Sequence, residues 1–212
     1  MEQEIKRLRE TAEMQQNTIT TFLKTEKSGS TFTRWGRNVC PDSTAPVYKG
    51  YIAGKKYNEA GSGSDTICLP DEPTWANYTD GNQDALRGRI YGTEIDINEP
   101  SKIFPYNVWE QDVPCVVCLS DKSSVLMFPA RANCYKGWSL QYSGYIMANS
   151  HVHAGPHNHI CVDFQPEFVP NGARNDDQHI LYLIEAQCGS LPCPPYVQGR
   201  ELSCVVCSKN DD

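Results

Sequence analysis

The sequence holds no apolar run near the roughly 18 residues that a spanning helix needs, so no membrane span is expected and the chain reads as soluble. Its 15 glycines among 212 residues leave no room for a Gly-X-Y triple helix. Positive charge is also scarce. With 19 Lys and Arg against 26 Asp and Glu, the net charge is −7, which speaks against nucleic acid or an anionic membrane surface as the main partner. There is no GxSxG elbow, P-loop or HExxH motif, and no spacing sets a nucleophile beside a base, so the chain is read as a non-enzyme with no required cofactor. The opening "MEQEIKRLRE" is not a basic stretch followed by an apolar run. The expectation is a mature fragment whose leader lies outside the sequence; the competing reading is a cytosolic protein with ten thiols.

What is present is a globular composition, 39% hydrophobic and 21% charged, with ten cysteines. That many cysteines in a chain of this length point to an oxidising compartment, hence a secreted, extracellular protein. Residues 1–24 stand apart. Through residue 23 they contain no Cys, Gly or Pro, and Ile5, Ala12 and Ile19 fall at heptad position a, with Met1, Leu8, Gln15 and Phe22 at d. Glu4 at g and Arg9 at the next e have the spacing that pairs charges between parallel helices. The segment is expected to be a coiled-coil helix of about 35 Å, weak alone because Ala12 and Gln15 thin its seam. The competing reading is an amphipathic helix packed on its own domain. Residues 25–32 form a polar linker.

Beyond it, "SSVLMFPA", "HICVDF" and "HILYLIEA" are short apolar and β-branched runs between Gly, Pro, Asn and Asp clusters, which predict strands. An internal repeat organises them. Cys40 precedes Gly50 of "YKGYIAG" by ten residues, Cys68 follows Gly50 by eighteen, and "CVVC" at 115–118 closes the unit. Cys134 precedes Gly144 of "YSGYIMA" by ten, Cys161 follows Gly144 by seventeen, and "CVVC" returns at 204–207. The predicted fold is therefore mainly β: two tandem homologous disulfide-linked β subdomains, 33–120 and 125–208, preceded by an N-terminal α-helical coiled coil.

Each repeat supplies four cysteines, and Cys188 and Cys193 complete the ten. A zinc ribbon needs its two CxxC motifs close together, whereas these are separated by most of a repeat. A redox CxxC needs a helix N-terminus, and the two intervening valines favour a strand. In an extended strand the two cysteines of CxxC point to opposite faces, so they bond two different partners rather than each other. One such scheme is nested: Cys40 with Cys118 and Cys68 with Cys115, then Cys134 with Cys207 and Cys161 with Cys204, leaving Cys188 with Cys193.

The stretch from "RWGRNVCP" through "CLPDEP", "YTDG", "VPCVVC" and "GWSLQYSGYIMA" to "EAQCGSLPCPPYVQGRELSCVVC" resembles the C-terminal non-collagenous domain of sponge-type short-chain collagens and their invertebrate relatives. The likeness covers about residues 30–208. That family is in turn distantly similar to the duplicated C-terminal domain of type IV collagen. The resemblance implies a secreted, disulfide-stabilised module that forms a homotrimer and aligns chains in the extracellular matrix, and it agrees with the nested cysteine scheme. Ile at a with Leu at d would by itself lean toward a dimer, so the trimer rests on the resemblance. In this chain the heptad segment stands where a triple helix would be.

Further candidates lie outside the repeat logic. His151, His153, His157 and His159 crowd into "HVHAGPHNH", where a hairpin would present paired imidazoles to a divalent metal; a solvated histidine-rich loop is the plainer reading. Asn77 of "NYT" is a glycosylation sequon in a polar stretch, whereas "DGNQD" at 80–84 has only part of a calcium-loop pattern. Trp35 and Trp138, near the repeat starts, are read as structural. Other matrix proteins or glycans are candidate partners, and eleven tyrosines with four tryptophans raise a second reading, an oligomeric lectin-like protein that stacks sugars on aromatic rings.

Overall fold

A computed structural model describes residues 1–25, 29–81, 87–98 and 103–211, with helix side chains through Ile19. Among these residues there is one helix, α1 (Glu2–Thr25), and eleven strands. The first half contributes β1 (Ser30–Trp35), β2 (Thr44–Gly54), β3 (Ile67–Pro70), β4 (Tyr91–Ile95), β5 (Gln111–Asp112) and β6 (Pro114–Ser120). The second contributes β7 (Val125–Pro129), β8 (Trp138–Ala148), β9 (Ile160–Asp163), β10 (His179–Leu183) and β11 (Ser203–Lys209). Helix α1 runs to Thr25, and β1 begins at Ser30, inside the stretch read as linker.

Of the five antiparallel pairings described in the first half, four have counterparts in the second, the exception being β4 with β5. In the first, β2 pairs with β3, β4 and β6, and β6 pairs with β1. In the second, β8 pairs with β9, β10 and β11, and β11 pairs with β7. The glycines of "YKGYIAG" and "YSGYIMA" show why these crossings need those residues. A Cβ on Gly50 would stand 1.7 Å from the Leu69 carbonyl oxygen, and one on Gly144 would stand 1.7 Å from that of Val162. The neighbouring strand passes directly over the α-carbon, where only hydrogen fits.

Two parallel contacts join the halves. Strand β1 meets β9 at Trp35 and Val162, and β10 pairs with β4 from His179–Thr93 to Leu181–Ile95. Because β10 also pairs with β8, the hydrogen-bonded path β10-β4-β2-β6-β1-β9-β8 returns to its start, leaving β11 and β7 as an extension. Closing a sheet in this way removes edges that would otherwise pair with other chains. The larger core cluster draws on both halves: Ile52, Ile95, Val113 and Cys115 pack with Met147, Ile160, Val162 and Leu181. The smaller one surrounds Tyr142, Ile146 and Val206, and Phe32 of β1 packs against it. Trp35 packs on the larger cluster, and the Trp138 ring meets Phe128 edge-on at 5.2 Å.

Five disulfides bind this body: Cys40–Cys118, Cys68–Cys115, Cys134–Cys207, Cys161–Cys204 and Cys188–Cys193. Both CVVC motifs lie on strands, β6 and β11, and their four cysteines are fully buried. Each strand is thus stapled on two sides.

Candidate functional site

Helix α1 is the first candidate surface. Its composition favours helix, and Glu2 and Glu4 place negative charge on the positive N-terminal end of the dipole. The Thr11 and Thr18 hydroxyls donate to the carbonyls of Arg7 and Met14, one turn back, at 2.9 and 2.8 Å. Every residue from Met1 to Ile19 is exposed, including the seam: Ile5 at 47%, Leu8 at 63% and Ile19 at 59%, together with Ala12 and Gln15. This segment therefore does not pack on its own β body. Phe22 lies outside the described side chains. A solitary helix of this length is marginal in water, and its apolar stripe has no partner among the described residues.

The histidine cluster divides. His151 and His159 are exposed. His153 is half-buried, with Nδ1 at 2.8 Å from Asn149 Oδ1 and its ring edge-on to Tyr57 and Tyr182. His157 turns inward, its Nε2 donating to the Lys55 carbonyl at 2.9 Å, and its ring stacks at 3.9 Å on that of His179, the fifth histidine. Among the described residues no three or more His, Cys, Asp or Glu side chains form a group able to hold a metal.

His179 is fully buried where β10 crosses β4. Its Nδ1 lies 2.7 Å from the Thr93 hydroxyl and its Nε2 3.3 Å from that of Thr66, while the ring rests on Gly54. Burial, with the neighbouring His157, pushes its pKa down to about 3, and burial lowers His157 as well. The pair is a neutral, polar plug between the halves. Arg34 of β1 and Asp163 of β9 form a second link across the junction, at 2.7 Å with both side chains largely buried. The Tyr142 hydroxyl donates to the carbonyls of Thr33 and Cys161, at 3.1 and 3.0 Å, and burial raises its pKa.

Cavities open on the β body. One of about 460 Å³ is walled by Arg131, Tyr135, Tyr196, Arg200 and Glu201, with the buried Ala186 at its side. A second, of about 260 Å³, lies between Phe32, Met127, Tyr142 and Val206 beside the smaller core cluster. Asn77 is exposed in the loop that follows β3. Residues 82–84 of the "DGNQD" stretch lie outside the described residues.

No family model of known proteins matches this chain. What the structure defines is a mainly β, disulfide-stabilised body that carries an N-terminal helix. Its five disulfides fit an extracellular protein. Among the described residues no helix is long and apolar enough to cross a membrane.

Proposed function

We propose that the chain is a secreted, non-enzymatic structural module that assembles into homotrimers through α1, each copy presenting two homologous β repeats to the extracellular matrix. The observation that carries this reading is the unpartnered seam of Ile5, Leu8 and Ile19 on a helix exposed along its described side chains. Burying such a stripe against identical stripes is how heptad helices gain stability, and Glu4 and Arg9 have the positions to pair between parallel copies. Three chains rather than two follow from the resemblance to short-chain collagen and type IV collagen C-terminal domains, whereas the reading of the halves as a duplicated unit rests on the repeated cysteine and glycine spacing. Light scattering on the intact chain tests it. Three times the 23.8 kDa chain mass is expected, falling to one chain mass in Leu8→Asp/Ile19→Asp. A wild-type monomer or dimer at micromolar concentration overturns the trimer.

A second reading, an oligomeric carbohydrate-recognition protein, draws on the cavity lined by Tyr135 and Tyr196 with Arg131 and Arg200. There the helix would supply avidity. Glycan-array binding that is lost in Tyr196→Ala favours it, and silence favours matrix assembly.

A further inference from the structure

Two aromatic rings stand in water beside the sequon. Trp75 is 76% exposed and Tyr78 70%, and their centroids are 6.4 Å apart, edge to face. Asn77 lies between them in Trp75-Ala76-Asn77-Tyr78-Thr79, in a loop whose residues 71–80 are all exposed. The other three tryptophans, Trp35, Trp109 and Trp138, are half-buried in the β body. Trp75 is the exception, and large aromatic surface left in water calls for a partner.

The linkage chemistry supplies one. An N-acetylhexosamine on Asn77 would emerge within reach of the side chain two residues back, and a pyranose ring offers a face of C–H groups that packs on an aromatic face. We propose that Asn77 carries an N-linked glycan whose first N-acetylglucosamine stacks on Trp75, with Tyr78 bracing that ring from its edge. The donor is a lipid-pyrophosphate oligosaccharide. Asn77 Nδ2 forms a bond to the anomeric carbon, the bond from that carbon to the pyrophosphate oxygen breaks, and one amide proton leaves. The proposal rests on passage through the secretory pathway, which the extracellular reading implies; Thr79 completes the sequon.

The test supplies that passage directly, by expressing the full chain behind a cleavable secretion leader in cells restricted to high-mannose glycans. Intact mass is expected to show one glycan, absent in Asn77→Gln. Endoglycosidase trimming then leaves a single N-acetylglucosamine on Asn77. Hydroxyl-radical footprinting of this form against Asn77→Gln is expected to show Trp75 oxidation reduced about threefold, with Trp35 unchanged, because the sugar covers most of the exposed ring. Secreted, folded protein with Asn77 unmodified overturns the proposal, as does equal oxidation of Trp75 in the two forms. Light scattering on the same samples reads the trimer independently, so the failure of one reading is distinguishable from failure of the other.

Discussion

At the residue scale, the His157–His179 pair makes the fold sensitive to acid. Both side chains are held neutral in the folded protein, with pKa values below the ordinary 6.5 and that of His179 near 3. Between pH 6.5 and those values, an unfolded chain takes up protons that the folded chain refuses, so stability falls as the pH drops. His179 alone accounts for about 1.4 kcal/mol per pH unit across that window. Glu94 and Asp112, whose carboxyls burial raises, act in the opposite sense, since the folded state then holds protons more tightly than the unfolded one. Urea midpoints at pH 7.5, 6.5, 5.5 and 5.0 are expected to be flat above 6.5 and to decline below it. A His179→Gln variant, which keeps hydrogen-bonding capacity without the titration, is expected to lose most of the decline. The local spacing of the histidines does not show this pair. Four histidines in nine residues suggest a common site, yet the chain parts them, and the partner of His157 comes from the start of "HILYLIEA". No local spacing signals that contact, because it is made by β10 crossing to β4.

At the element scale, the repeated cysteine spacing was the legible feature. Parity along a strand sends the two cysteines of each CVVC to different partners, and the structure bonds each motif to the first and inner cysteines of its own half. The stabilisation differs by loop size. Cys161–Cys204 closes a separation of 43 residues and Cys188–Cys193 only 5. Chain entropy then assigns about 4 kcal/mol to the first and about 2 kcal/mol to the second. Denaturant unfolding of Cys161→Ala/Cys204→Ala and of Cys188→Ala/Cys193→Ala is expected to show that order, with the first pair losing more because the fully buried Cys204 also leaves a packing defect. Gly50 and Gly144 were visible as landmarks of the repeat. Their reason was not, since only the strand lying on each α-carbon shows why a side chain is barred.

At the scale of the whole molecule, the two halves are interlocked. Met147, Ile160, Val162 and Leu181 of the second half pack against Ile52, Ile95 and Val113 of the first, so neither half encloses the larger core alone. A fragment of residues 125–211, even with its cysteines oxidised, is expected to expose that face, bind a hydrophobic dye and unfold without a cooperative transition. Co-refolding it with residues 1–124 is expected to restore one. A cooperative, dye-silent fragment would show that the second repeat folds by itself.

The sequence by itself determined the locally encoded features: a helix-favouring N-terminal segment with a heptad stripe, strand-forming runs, and a doubled cysteine spacing. Each depends on near neighbours or on a repeating interval, so each survives being read in one dimension. Only the tertiary structure decided that β10 lies on β4, that β1 touches β9, and that His179 and Trp35 sit at the junction of the halves. Those placements are long-range. They come from burying apolar faces of both halves together, and a strand's alternating pattern states which face is buried without stating what covers it.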